Sequence, residues 1–184
     1  MKAILKLLRP HQWAKNSFVF LPLFFNGKFT NLEFLFITII VFFVFSFAAS
    51  GIYCFNDILD AEKDKLHPIK RHRPIASGNI GKCSAFFIML ICFIISLLTI
   101  YFFSSYIKTH VYNLYWVIAI YILMNIFYCI KLKKMIIVDV FVIAIGFVLR
   151  IFAGGLATGI LLSHWLVLMT FLLALLLAFA KRRD

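Results

Sequence analysis

Apolar residues in this chain come in long blocks, and the charged residues gather between them. Stretches 34–55, 84–103 and 111–130 each run for about 20 residues without a charged side chain. That is the length an α-helix needs to cross a hydrocarbon layer about 30 Å thick at 1.5 Å per residue. Stretch 135–162 is longer and is interrupted by Arg150 and by glycines 154, 155 and 159. It reads as a span from about 136 to 154 followed by a turn. Stretch 165–180 makes a further span at the short end of the range, stopping at Lys181, Arg182, Arg183 and Asp184. The first apolar run, 17–25, is too short to cross alone. It spans only if its helix begins near Trp13 and reaches about Phe29. The pattern predicts an all-α polytopic transmembrane bundle of about six spans, forming a single domain over 1–184.

Composition agrees. Hydrophobic residues make up 64% of the chain, 18% is aromatic with 23 Phe, and the mean hydropathy is +1.02. Soluble domains hold roughly 45–50% apolar residues, so one water-soluble core is excluded. The four cysteines show no metal-ligand or redox spacing and read as small hydrophobes. Basic residues ahead of 17–25 mimic a signal peptide, but no small-residue cleavage site follows, so the run is read as mature sequence.

The formal charge of +12 points to nucleic acid only if position is ignored. With six spans, the leader carries four Lys and Arg, the loop after the second span six, the loop after the fourth three, and the C-terminal end three. The opposite side has Lys28 and Lys108, while Arg150 lies within a span. Such asymmetry places the basic side, with the N-terminus, in the cytoplasm. No nucleic-acid partner is expected.

Block 56–74, NDILDAEKDKLHPIKRHRP, holds four of the seven carboxylates. On a helix continuing from the second span, Asp60, Asp64 and Asp57 lie about 40°, 80° and 100° round from Asn56, whereas Glu62 points away at about 240°. Carboxylates crowded on one arc repel unless a cation sits among them, and Mg²⁺ suits all-oxygen ligands completed by phosphate. Asp57, Asp60 and Asp64 are therefore the candidate catalytic and metal residues. The plainer alternative is a solvated segment whose acids balance Lys63, Lys65, Lys70 and Arg71. Pro68 and Pro74 break the helix, and Lys70 and Arg73 in the rigid loop between them suit phosphate oxygens; positive-inside topology is the other explanation. His67 and His72 read as loop histidines bonding backbone.

In the fifth span Asp139, Gly146 and Arg150 share one stripe, within about 40°. Ionisable residues at membrane depth face a bundle interior or a wet cavity. They serve either a substrate, Asp139 at a metal or ribose site and Arg150 on phosphate, or a tie between helices.

The aspartate block resembles the first aspartate-rich motif of the UbiA superfamily of intramembrane prenyltransferases. With RPHQWAKN at 9–16, HPIKRHRP at 67–74, GFVLR at 146–150 and KRR at 181–183, the chain is similar to the decaprenyl-phosphate phosphoribosyltransferase branch along its whole length. The resemblance implies Mg²⁺-dependent transfer of phosphoribose from 5-phosphoribosyl 1-diphosphate to a polyprenyl phosphate, at the cytosolic face of a bacterial inner membrane. It adds Lys15, Asn16, Asn56, Tyr128, Lys133, Lys181 and Arg182 as substrate contacts. An aromatic prenyltransferase of the same superfamily is the runner-up. A transporter using Asp139 and Arg150 as a charge pair, or an inactive fragment, is the reading outside it. Family members continue with further helices, so the chain is expected to lack the last third of the bundle and to be weakly active or inactive alone. Robust turnover by the 184-residue chain would refute that expectation.

Overall fold

The computed structural model describes residues 2–107 and 111–183, with the side chains of Ile136 and of residues 181–183 outside that description. The regular elements among them are helices: α1 (Lys2–Leu8), a 3₁₀ segment (Pro10–Phe20), α2 (Leu21–Phe25), α3 (Leu32–Leu66), α4 (Lys82–Phe102), α5 (Val111–Ile130), α6 (Ile136–Thr158) and α7 (His164–Arg183). Short 3₁₀ turns lie at Lys70–His72, Ser104–Tyr106 and Leu132–Lys134.

The bundle is built on α3. Its 35 residues reach about 52 Å at 1.5 Å each, so one end must project well beyond an apolar layer about 30 Å thick. Asn31 caps its start by accepting from the Glu33 and Phe34 amides at 3.0 and 3.3 Å, with Glu33 placed to favour the helix dipole. The helix ends because Pro68 forces the preceding residue out of the helical region; His67 is extended at φ −90°, ψ 131°. The aspartate block is therefore the projecting last turns of a membrane helix. Two-thirds (67%) of the most apolar window of α3 is buried, against 28% for α4 and 22% for α5, which makes α3 the central helix and α4 and α5 the lipid-facing ones.

Among the described residues four helices, α3 to α6, are long and apolar enough to cross a membrane, and the apolar part of α7, His164–Ala180, is shorter. The first crossing differs from expectation in kind. Instead of one α-helix over 13–29, Pro10–Phe20 winds as 3₁₀ and only Leu21–Phe25 is α. A 3₁₀ turn rises about 2.0 Å per residue, so this short stretch still covers about 30 Å.

The fifth span also differs. Gly154 and Gly155 do not end α6, which runs on to Thr158 and turns at Gly159 (φ 68°). There the Ile160 amide donates to Gly155 O at 3.0 Å and the Gly159 amide to Leu156 O at 3.3 Å, the Schellman arrangement that favours glycine. Gly154 serves packing instead, since a Cβ there would collide with the Val19 carbonyl oxygen.

Two buried clusters fix the layers. Val41, Val44, Phe45 and Ala48 of α3 pack with Ile118 and Tyr121 of α5 and Ala153 and Ala157 of α6. Nearer the projecting end, Leu7, Cys54, Ala61, Ile75, Ile80, Ala85 and Met89 join the leader, α3, the loop before α4 and α4 itself. This second cluster is what holds the loop carrying Arg73 against the acidic end of α3.

Candidate functional site

The exposed turns of α3 present one polar face. Lys133, from the turn before α6, donates to Asp60 Oδ1 and Oδ2 at 2.8 and 2.7 Å and to Asn56 Oδ1 at 3.2 Å. Arg73 donates to Asp64 Oδ2 at 2.7 Å and to Asp57 Oδ1 at 3.2 Å. Arg9, from the leader, donates to the same Asp57 Oδ1 at 2.6 Å. Partners shared between positions four and seven apart are what one helix face requires. Glu62 lies on another face, accepting from Lys65 and Lys82 at 2.9 and 2.8 Å. Those hydrogen bonds, Lys82 first, pull its carboxyl down to about 2.

Beside this face opens a cavity of about 510 Å³ between the first span and α3, α5, α6 and α7. Lys15 and Tyr128 line it, Arg150 lies deeper, and Ala174, Leu177 and Ala178 make an apolar wall. The Tyr128 hydroxyl donates to Asp139 Oδ1 at 2.7 Å. Arg150, only 7% exposed, donates to Asn16 Oδ1 (2.8 Å), Gly146 O (2.6 Å) and Tyr121 Oη (3.1 Å). Its guanidinium carbon stands 5.1 to 5.7 Å from the rings of Tyr121, Phe147 and Phe45, a cation–π enclosure.

The predicted residues thus divide. Asn56, Asp57, Asp60, Asp64, Arg73 and Lys133 come together on one face in two hydrogen-bonded groups, one centred on Lys133 and one on Arg73. Lys15, Tyr128 and Arg150 line the adjoining cavity, and Asp139 is tied to its rim through Tyr128. Asn16 is buried behind Arg150 and does not line the cavity: its Nδ2 donates to Ser46 Oγ at 3.0 Å while its Oδ1 receives Arg150. Lys70 stands exposed on its turn, outside both groups. His67 behaves as a loop histidine, its Nδ1 accepting the Ile69 and Lys70 amides. Asp139 and Arg150, eleven positions apart, are separated by about 16 Å along α6, too far for a direct charge pair. The side chains of Lys181 and Arg182 lie outside the described residues.

Two residues were not singled out from sequence. Arg9 looked like one more topology charge; its position before Pro10 in RPHQWAKN was the available signal. Tyr121 was hidden among the aromatics of an apolar run.

The donor chemistry of this face suits a hard divalent cation, because it is all oxygen. Asp57 is 1% exposed, and its Oδ2 is buried without a hydrogen-bond partner. An orphaned carboxylate oxygen is costly unless something binds it. The three aspartates do not, however, converge into a ready cluster: among the described residues no three His, Cys, Asp or Glu side chains gather as metal ligands. Each is instead turned to a cation from another segment.

Comparison with known proteins gives this geometry a context. The model of the UbiA prenyltransferase family matches residues 17–184. A decaprenyl-phosphate phosphoribosyltransferase of Corynebacterium glutamicum is 38% identical over 183 residues, 97% of this chain and 53% of that protein. The protein of the same name in Mycobacterium tuberculosis is 34% identical over 183 residues, 97% of this chain and 58% of its own length. The chain therefore spans about half the length of the curated relatives it matches. In fold, it superposes on a UbiA homolog from Archaeoglobus fulgidus bound to DMAPP and Mg²⁺ with a TM-score of 0.75 at 20% identity, covering 94% of this chain and 60% of that one. The family match takes in the acidic end of α3 and Arg150, and covers most of the chain; the chain therefore belongs to the UbiA prenyltransferase family.

Proposed function

We propose that this chain carries the donor site of a Mg²⁺-dependent enzyme that moves 5-phosphoribose from 5-phosphoribosyl 1-diphosphate to a polyprenyl phosphate, releasing diphosphate. One observation carries the reading: acidic residues and cations interleave on the projecting end of α3, beside a cavity with an apolar wall. The names of the curated relatives favour phosphoribose as the group transferred.

Asp57, Asp60 and Asp64 would hold the metal. Bound there, Mg²⁺ supplies charge neutralisation for the departing diphosphate. Arg73 and Lys133, held on this face, bind the remaining phosphate oxygens, with Lys70, Lys181 and Arg182 as further proposed contacts; preorganised cations such as the first two favour the charge-separated transition state. Tyr128 and Asp139, joined by their hydrogen bond, offer a hydroxyl and a carboxylate to the ribose. Lys15 and Arg150 draw the lipid phosphate into the cavity, whose α7 wall accommodates the polyprenyl chain. That phosphate oxygen is already anionic near neutral pH and attacks ribose C1 opposite the leaving diphosphate, so no side chain needs to remove a proton. A water-soluble donor and a lipid acceptor meet only at a membrane surface; the charge asymmetry supports the cytosolic side, and the bacterial relatives support a bacterial plasma membrane.

Membranes containing this chain within a protein of the relatives' full length, given labelled phosphoribosyl diphosphate, Mg²⁺ and polyprenyl phosphate, should pass label to the organic phase. Asp60→Asn should lower the rate by about 100-fold, the order expected when a transition-state charge stabiliser is removed. Failure of label to enter lipid with a folded protein that carries this chain at the relatives' full length overturns the proposal. Prenylation of 4-hydroxybenzoate by polyprenyl diphosphate in its place would assign the aromatic branch.

A further inference from the structure

Arg9 sits in the left-handed region at φ 52°, ψ 58°, the described non-glycine residue with positive φ. Such a conformation is disfavoured for an L-residue, and it persists only where the surroundings over-determine it. Here they do. Ser50 of α3 donates from Oγ to Leu8 O at 2.8 Å and accepts from Trp13 Nε1 at 3.0 Å, pinning the leader on both sides of Arg9. The bend delivers the guanidinium to Asp57 Oδ1, with its carbon 5.2 Å from the centre of the Tyr53 ring.

The manner of contact is unusual for a structural ion pair. Two guanidinium groups, Arg9 and Arg73, share one carboxylate oxygen while the buried Oδ2 of the same Asp57 has no partner. The fork of arginine can match a carboxylate bidentately, but here both guanidiniums meet Oδ1 and leave Oδ2 open to a further ligand. Across the whole face, Asp57, Asp60 and Asp64 are matched by Arg9, Arg73 and Lys133. Three negative charges meet three positive ones, so a bare divalent cation finds no net attraction and must compete with resident cations. A divalent cation bound to an anion of several negative charges meets the opposite situation: the metal takes the carboxylates and the anion takes the displaced guanidinium.

We propose that Arg9 is a further anion-binding residue of this site, exchanging from Asp57 to a metal-bound diphosphate, so that metal and diphosphate bind as a coupled pair. This rests on reading the α3 face as the metal–diphosphate site. Arg9 is suited to the exchange because its backbone is fixed and its side chain is 20% exposed, so only side-chain torsions need to change.

The test uses Mn²⁺ as the metal probe, followed by electron paramagnetic resonance, and pyrophosphate as the anion probe, on the whole chain in lipid nanodiscs. Native protein should bind Mn²⁺ weakly alone and about tenfold or more tightly with pyrophosphate, within the usual range of coupling between ligands. Arg9→Asn suits the left-handed backbone, because Asn adopts it more readily than most residues. It should bind Mn²⁺ alone about threefold to tenfold more tightly, since one competing cation is gone, while the pyrophosphate enhancement falls below about threefold. Opposite movements of this kind do not arise from general loss of structure, which weakens both. Arg9→Gln gives the same readout with the aliphatic stem retained. Unchanged or weakened Mn²⁺ binding with the enhancement intact overturns the role of Arg9. Absence of Mn²⁺ binding by the native protein, with and without pyrophosphate, overturns the metal-site reading itself and is seen before any variant is made.

Discussion

Arg150 illustrates what a single residue can do at membrane depth. It donates to three neutral oxygens, on Asn16, Gly146 and Tyr121, and faces three aromatic rings. Neutral acceptors solvate a buried cation without cancelling its charge, so the cavity beside it keeps a positive character. The Asn16 amide is in turn held by Ser46, whose hydroxyl donates to Phe42 O at 2.7 Å. This chain of contacts fixes the guanidinium plane relative to α3 and the first span. A lysine could keep the charge but not the fork. Arg150→Lys should therefore lower stability by about 2 kcal/mol, the cost of leaving buried acceptors unmatched, read as a lowered thermal midpoint in detergent. An unchanged midpoint would show that the fork is not used structurally. From sequence, Arg150 could be placed on an inward stripe because helical periodicity reaches that far. Its partners could not, since Asn16 is 134 positions away. The same reason separates the legible and illegible halves of the acidic face. Asn56, Asp57, Asp60 and Asp64 align by the geometry of one helix. Arg9 and Lys133 reach them across 48 and 73 positions, and a lone basic residue beside an apolar run carries no local mark of such a contact.

At the scale of elements, the apolar blocks gave α4 and α5 nearly their observed extent and α3 its membrane-crossing part, because a membrane span is a requirement of length and hydropathy alone. The two misreadings have one cause. The first span was too short as an α-helix, and the glycines of α6 looked like a break. Both are settled by the close approach of these two elements, with Val19 of the 3₁₀ segment against Gly154. Small residues let helices approach in membranes, and here the glycine admits a backbone carbonyl rather than a side chain. Gly154→Ala should cost about 1–3 kcal/mol by overpacking, because the obstructing atom is main chain and cannot rotate away. Gly146→Ala provides the contrast: an added Cβ there meets Arg150 Nη1 at 3.5 Å and Met124 Cε at 3.7 Å, ordinary contacts. Thermal unfolding in detergent should separate the two variants clearly. Equal midpoints would mean that the first span can shift away from α6.

For the whole molecule, the decisive property is sidedness. The ion pairs of Arg9, Arg73 and Lys133 with α3 bring the leader, the loop before α4 and the turn before α6 to one end of the bundle. These are the segments that the charge count had grouped. Lys28 stands at the other end, over the Phe34 ring at 5.0 Å near the start of α3. The native cysteines make the orientation testable without redesign. Cys83, at the start of α4 on the basic end, is exposed, whereas Cys54, Cys92 and Cys129 are buried. A membrane-impermeant maleimide should therefore label Cys83 in inverted vesicles and leave it unlabelled in intact cells. Lys28→Cys, at the opposite end, should react in intact cells. The reverse pattern would turn the acidic end of α3 outward, away from the compartment that supplies a soluble phosphoribosyl diphosphate, and would remove the physical basis for the proposed donor. Labelling of Cys83 from the inside would leave the aspartate face where a highly charged donor can reach it by diffusion, while the acceptor arrives through the apolar layer that α4 and α5 face.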